Sequence, residues 1–395
     1  MEASVLFFLT SGLFLGWALG ANDAASVFGT AVTTRMIRFS TATVLCSVFV
    51  ILGAVSGGGG AAETLGRLGA VDAPAGSFMA ALAAGLSVYL MNRCGLPVSA
   101  TQAIVGGIIG WNLFTGTPTD SRVLLKIIAT WAICPLLAAV FSAGLYLATR
   151  WAVSLFKPHL LRLDAYTRVG LVLAGAFGSY SLGANNIANV MGVFVPATPF
   201  HALELGGWFS FSGTQQLFLL GSIAIAAGVV THSGRVMSTV GKGIFPLSPI
   251  SAWVVVVSHS LVLFLFSSQG LERFLVAQGL PTIPLVPVSS TQAVVGAVLG
   301  IALLQGRHNI RWRVLGKIGV GWMMTPILAG LICFIGLFFL QNVFDQPVQR
   351  AGVHRAAAIF APPPGRPAMD WKIPPRPGQR PGQRPGMAAR IAPRP

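Results

Sequence analysis

The sequence predicts an all-α integral membrane protein with about ten spanning segments in two inverted-topology repeats. Of its 395 residues, 54% are hydrophobic and 9% are charged. Apolar runs of about 20 residues recur along the chain, which is the length that crosses hydrocarbon as a helix. Two short motifs also occur twice, in the same order in each half. These observations exclude a soluble globular protein as the fold class.

The spanning segments follow from the apolar runs taken in order. The first run is read as a span rather than a signal peptide, because Glu2 precedes it and no Lys or Arg does. The fourth and ninth runs begin at Pro97 and Pro287 and suit either re-entrant segments or full spans. The ten segments are expected at 5–34, 39–57, 76–92, 96–115, 124–148, 169–197, 207–230, 251–268, 283–304 and 316–342.

Composition divides the chain into four parts: a first repeat (1–148), a basic connection (149–168), a second repeat (169–345) and a tail (346–395). The connection combines aromatic and basic residues, which is typical of a membrane interface. The tail is rich in Pro, Arg and Gly and cannot bury a core, so it is predicted to be disordered.

Charge predicts the orientation of the chain. Lys and Arg number 26 against 10 Asp and Glu, and most of those before the tail lie in connections that share one side if the N-terminus is outside. Cytoplasmic loops carry such an excess, which predicts an external N-terminus in a cell (inner) membrane. With five spans per half, the second repeat then enters from the opposite side. The basic charge is therefore a topology signal, and no nucleic-acid partner is expected.

The first repeated motif combines small residues with amides. Residues 20–26 (GANDAAS) recur as 183–189 (GANNIAN). We expect each copy to break its helix at membrane depth, where freed backbone groups need protein, water or ligand as partners. Asp23 lies well inside an apolar run, and an intramembrane carboxylate is a functional candidate with a cation or proton as partner. A simple capping role is the alternative, and the duplication favours function.

The second repeated motif looks like a helix start. Residues 97–107 (PVSATQAIVGG) recur as 287–297 (PVSSTQAVVGA). Proline suits a first helical turn, and the Ser and Thr hydroxyls lie beside free backbone amides. Amides and the positive end of a helix dipole bind an anion without Lys or Arg. Ordinary capping followed by small-residue helix packing is the alternative. Two facing copies predict a cage for a tetrahedral oxyanion.

Together the four motifs resemble those of the inorganic phosphate transporter (PiT) family, over about residues 5–305 and more weakly to 342. The resemblance implies an inverted-repeat fold and symport of phosphate with sodium ions or protons by alternating access. It also implies a homodimer in contact with membrane lipid and, for short bacterial members, a cytosolic accessory protein. Neither an enzyme activity, a cofactor nor a metal centre is expected, and the four cysteines have no paired spacing.

Matching positions carry the family's roles onto this chain. The substrate would contact Asn22, Asn185, Ser99, Thr101, Ser289, Ser290 and Thr291. The coupling ion would contact Asp23, Asn186, Asn189 and Ser26, with Gln102 and Gln292 as secondary candidates.

The chain departs from the family pattern at several of these positions. Asn186 stands where the family usually has Asp, Ser26 where Asn is usual, and Ala100 where a hydroxyl residue is usual. Gln102 and Gln292 stand where His is common. Losing one carboxylate removes a negative charge from a cation site, which leaves the number and identity of coupling ions open.

Other readings remain at this point. A sulfate permease of the same fold, an anion channel and a membrane receptor are alternative functions. His259 is either a proton relay or a neutral, hydrogen-bonded helix residue. Gln215 and Gln216 either face the pathway or bond between helices, and Arg67 and Lys242 are either gating or interfacial residues.

Overall fold

The computed structural model describes residues 3–69, 71–94, 98–205, 209–243, 245, 247–306 and 310–350. Pro97 and the tail from 351 onward therefore lie outside the described residues, as does the side chain of Lys242. The described helices are α1 (Ala3–Thr33), α2 (Phe39–Gly57), α3 (Gly59–Gly69), α4 (Pro74–Arg93), α5 (Ala100–Thr115), α6 (Ser121–Phe156), α7 (Leu160–Met191), α8 (Gly213–Gly243), α9 (Pro249–Ser267), α10 (Gln269–Ala277), α11 (Ser290–Gln305) and α12 (Trp312–Asn342).

A helix occurs at each of the ten predicted segments. Six of these helices, α2, α4, α6, α8, α9 and α12, are long and apolar enough to cross a membrane. α1 and α7 have 31 and 32 residues, which also exceeds the ~20 residues of a span. α5 and α11 have 16 residues each and are shorter than a usual span. The predicted helical membrane fold is confirmed, with one small hairpin of strands among the described residues.

Several short elements were not predicted from the sequence. A 3-10 turn (Gly192–Ala197) follows α7, and the strands β1 (Leu203–Leu205) and β2 (Phe209–Phe211) form a small antiparallel hairpin. α3 and α10 are short amphipathic helices of 11 and 9 residues. Their apolar positions are too few to give a clear periodic signal.

The predicted helix breaks at the Gly-Ala-Asn motifs are wrong. α1 runs without interruption through Asn22 and Asp23, and α7 runs through Asn185 and Asn186. The glycine of each motif serves close packing instead: a Cβ on Gly20 would overlap the backbone of Ile225. Non-helical backbone lies instead just before the buried starts of α5 and α11.

The two repeats are interlocked by reciprocal packing. α1 of the first repeat packs mainly on α8 of the second, and α7 of the second packs on α2 of the first as well as on α9 of its own repeat. The motif glycines lie at these contacts. A Cβ on Gly183 would overlap the backbone of Val50 in α2, and a Cβ on Gly20 would overlap the backbone of Ile225 in α8. The short helices follow the same rule, with α5 against α12 and α11 against α6. Neither repeat therefore forms its core alone.

Candidate functional site

The asparagine of each Gly-Ala-Asn motif holds the backbone of the valine that lies two residues before a short helix. Asn22 Nδ2 donates to the Val98 carbonyl over 3.1 Å, and Asn185 Nδ2 donates to the Val288 carbonyl over 2.8 Å. Asn185 Oδ1 also accepts from the Val288 amide over 2.9 Å. Both asparagines are buried. Each repeat thus fixes the start of its own short helix with the same side chain.

Threonine hydroxyls tie the two short-helix starts to each other. Thr101 Oγ1 donates to the Val288 carbonyl and Thr291 Oγ1 donates to the Val98 carbonyl, each over 3.2 Å. The carbonyls of Val98 and Val288 therefore accept hydrogen bonds from both repeats. The predicted face-to-face arrangement of the two PVSxT motifs is present within the described residues, with every named hydroxyl buried.

Both short helices begin at a serine cap in the interior. Ser99 Oγ accepts from the Gln102 amide, and Ser289 Oγ accepts from the Gln292 amide, each over 3.3 Å. Neither helix has an acidic residue in its first turn. Two helix N-termini with positive partial charge thus converge on one buried region, which favours a negatively charged ligand.

Asp23 lies at the centre of the polar network. Its Oδ1 accepts from Asn22 Nδ2 over 2.8 Å, and its Oδ2 accepts from Asn186 Nδ2 over 2.6 Å. Ser290 faces the carboxylate, although its Oγ makes no hydrogen bond of ordinary geometry. Within the described part of the chain, no Lys or Arg pairs with Asp23. A buried, unpaired carboxylate is costly, so this position favours a cation or a proton.

Asn189 extends the network to the first short helix. Its Nδ2 donates to Thr101 Oγ1 over 2.9 Å and to Asn186 Oδ1 over 3.3 Å. Asn186 Oδ1 also accepts from Asn185 over 2.8 Å, as Asp23 accepts from Asn22 in the other repeat. Asn186 therefore takes the place of Asp23 in the second repeat, but it is neutral.

Several polar atoms of the motifs are buried without a partner. Such orphaned groups are uncommon and call for an explanation in a native structure. Four are amide oxygens and two are hydroxyl oxygens, and oxygen ligands are what a hard cation prefers. The atoms are Asn22 Oδ1, Asn189 Oδ1, Gln102 Oε1, Gln292 Oε1, Ser26 Oγ and Ser290 Oγ.

The structure thus brings most of the predicted site residues into one bonded network. Ser26 is buried on α1 but makes no hydrogen bond to the network, and Gln102 and Gln292 join it through their backbone amides. The carbonyls of Val98 and Val288 are central acceptors that side-chain chemistry gave no means of finding. Each valine stands directly before a motif serine, and this position is the signal that could have identified them.

The remaining candidates lie apart from this network. His259 is buried, and neither ring nitrogen has a hydrogen-bond partner. Gln215 accepts from the Ser212 amide and Gln216 donates to the His201 carbonyl, so both organise the loop before α8. Arg67 pairs with Glu63 on the exposed side of α3.

Comparison with known proteins identifies the family of this chain. The family model described as the phosphate transporter family matches residues 19–166, 157–333 and 273–359. The chain belongs to the phosphate transporter family. All four repeated motifs lie within the matched ranges.

Individual members of the family are similar over most of their length. A protein of Methanocaldococcus jannaschii whose provisional name is phosphate permease is 28% identical over 335 residues, covering 85% of this chain and 97% of its own. A protein of Haemophilus influenzae with the same provisional name is 23% identical, covering 85% and 96%.

A solved structure supports the fold. It is titled "The sodium-dependent phosphate transporter" and superposes with a TM-score of 0.68 at 22% identity. The match covers 86% of this chain and 99% of that chain. The helical membrane architecture of this family member is thereby confirmed.

Proposed function

We propose that this protein moves inorganic phosphate across the membrane by symport with a sodium ion or proton. The observation that carries the proposal is the buried meeting of two helix N-termini beside a single unpaired carboxylate, Asp23. Family membership supplies phosphate as the substrate class, and the site supplies a reason for the cation.

Charge balance links the two ligands. The helix starts capped by Ser99 and Ser289 offer backbone amides and dipoles to an oxyanion, without a basic side chain. Asp23 adds a negative charge to the same network, which would repel the anion. A cation bound to Asp23 and to nearby amide oxygens removes that repulsion and adds attraction. Binding of the two ligands is then mutually favourable, which is the requirement for symport.

The hydrogen bonds between repeats give this site a means of alternating access. Thr101, Thr291 and Asn189 join elements of different repeats at the site. Rocking of the repeats against each other would break and remake these bonds around the ligand. Movement at the site is thereby coupled to the opening of either membrane side.

Counterflow in proteoliposomes tests the proposal. Labelled phosphate should enter vesicles preloaded with unlabelled phosphate, and net uptake should require an inward gradient of sodium ions or protons. Uptake without any cation dependence would indicate an anion channel. Protonated phosphate can donate a hydrogen bond to Asp23 or an Asn carbonyl, and sulfate cannot, so excess sulfate should compete weakly. Competition by sulfate equal to that by unlabelled phosphate would indicate a sulfate permease.

A further inference from the structure

The connection between the repeats forms an exposed apolar and basic surface. α6 has 36 residues, far beyond the ~20 of a span, and α7 begins at Leu160 well before its apolar run. The predicted basic loop at 149–168 is therefore helical except at residues 157–159. Because α6 and α7 do not pack along each other, neither helix covers the apolar side chains of its neighbour.

The turn itself is well formed. Lys157 adopts a left-handed conformation with φ of 42°, and its amide bonds to the Val153 carbonyl, which ends α6. His159 Nδ1 accepts from the Leu161 amide, which caps the start of α7. These caps present the neighbouring side chains in defined positions rather than leaving them in a loose loop.

The tip exposes large apolar side chains beside positive charges. Phe156 and Leu160 are each 76% exposed, and Leu161 is 74% exposed. Among the described residues, Arg150, Lys157 and Arg162 have no acidic partner. Arg168, by contrast, pairs with Asp164 over 2.9 Å. The surface therefore carries uncompensated positive charge next to uncovered apolar area.

The exposed stripe of α6 continues from the membrane span into this tip. Leu136, Val140, Leu147, Trp151 and Leu155 are all exposed and follow helical spacing along one face. The face exposed along the apolar part of α6 therefore continues as far as Leu155, with Ser154 as a polar residue on the same face.

α7 repeats this arrangement from the other direction. Its exposed stripe runs through Leu173, Val169 and Tyr166 and reaches Arg162 at the end nearest the turn. The α7 stripe ends in Tyr166 followed by Arg162, and the α6 stripe ends in Trp151 and Leu155, with Phe156 and Lys157 next along the chain. Apolar, then aromatic, then basic side chains is the order found from the hydrocarbon boundary to the phosphate layer.

We propose that the α6–α7 turn binds anionic phospholipid, with Trp151, Leu155 and Phe156 against the lipid and Lys157 and Arg162 on headgroup phosphates. Continuity of the stripes argues for lipid as the occupant, and the unpaired positive charge argues for an anionic headgroup. The proposal concerns a surface far along α6 and α7 from the motifs and does not depend on the transport mechanism.

Lipid selectivity of the full-length protein tests this directly. The protein is extracted from an equal mixture of phosphatidylglycerol and phosphatidylcholine, and the retained lipids are counted by native mass spectrometry. Lys157→Gln with Arg162→Gln should reduce the preference for phosphatidylglycerol by about five-fold for each charge removed. Arg122→Gln with Lys126→Gln, at the opposite end of α6, is the matched control and should keep the preference. An unchanged preference in the first variant, or an equal loss in the control, would overturn the proposal.

A second measurement separates lipid from other occupants. A fluorophore is attached at His159→Cys in a Cys94→Ser background and exposed to lipids brominated near the headgroup or to aqueous iodide. Quenching by the brominated lipid supports the proposal. Quenching by iodide alone would place the turn in water and overturn the proposal. Displacement of phosphatidylglycerol by millimolar free phosphate would also overturn the assignment, because it would identify a site for the free ion.

Discussion

The side-chain amide of Asn186 donates a 2.6 Å hydrogen bond to Oδ2 of Asp23, so a single carboxylate joins the two repeats. The two residues occupy equivalent places. Asp23 accepts from Asn22 over 2.8 Å, and Asn186 accepts from Asn185 over the same distance. The site is thus symmetric in geometry and asymmetric in charge. Mutation can therefore test whether the carboxylate works from either of the two positions.

Exchanging the two residues should partly preserve function. In Asp23→Asn with Asn186→Asp, the hydrogen bond re-forms with donor and acceptor reversed, and the net charge of the site is unchanged. We expect cation-dependent phosphate uptake at least about ten-fold above that of Asp23→Asn alone, which corresponds to ~1.4 kcal/mol. Counterflow in proteoliposomes measures it. If the double variant folds and is as inactive as Asp23→Asn, the two positions are not equivalent.

Adding a second carboxylate should change the cation requirement. In Asn186→Asp, two carboxylates within hydrogen-bond distance cannot both stay ionised without a further cation or proton. Uptake should fall at low cation concentration and rise more steeply with it, as seen in initial rates at fixed phosphate. Asn342→Asp adds the same charge at the exposed end of α12 and should leave the curve unchanged. An unaltered cation dependence in Asn186→Asp would contradict the account.

The threonine hydroxyls should contribute to phosphate affinity. Thr101→Val or Thr291→Val removes a buried hydroxyl at a helix start, and a hydrogen bond to a charged group contributes about 1.5–3 kcal/mol. We expect the phosphate KM to rise by roughly ten-fold or more, with recovery in the corresponding Thr→Ser variants. Thr130→Val is the control, because that hydroxyl bonds only to the Ile127 carbonyl of its own helix. A KM within two-fold of wild type would assign these hydroxyls to packing alone.

Close helix packing at the motif glycines should control stability. A Cβ on Gly20 or Gly183 would overlap the backbone of a helix in the other repeat, and overpacking of this kind typically costs 1–3 kcal/mol. Gly20→Ala and Gly183→Ala should therefore lower the thermal unfolding midpoint in detergent. Gly316→Ala, where a Cβ meets no atom within 4 Å, is the control. Midpoints equal to that of the control would mean that the repeats do not need this close contact.

The role of these glycines could not be predicted from the sequence. Apolar runs predicted the ten helical segments, and the duplicated motifs predicted that Asp23, Thr101 and Thr291 would share a site. A Gly-Ala-Asn sequence, however, suits both a helix break and a close helix crossing, and only the partner helix decides between them. That partner is Ile225 for Gly20, some 200 residues away, so local sequence cannot supply the answer.

The predicted bounds of α6 and α7, with a loop at 149–168 between them, were wrong for a related reason. Arg150, Lys157 and Arg162 interrupt the apolar run, and hydropathy alone ends a span there. The helix nonetheless continues through Arg150 to Phe156, and α7 already begins at Leu160, because Lys and Arg are good helix formers.

The most direct test of the central claim is cation-coupled uptake by Asp23→Asn in proteoliposomes. This change keeps the shape of the side chain and removes its charge. If Asp23 binds the coupling cation, labelled phosphate should no longer accumulate in response to an inward sodium or proton gradient, while the variant elutes as a folded protein. Gradient-driven accumulation equal to that of the wild type, with the same cation dependence, would contradict the account.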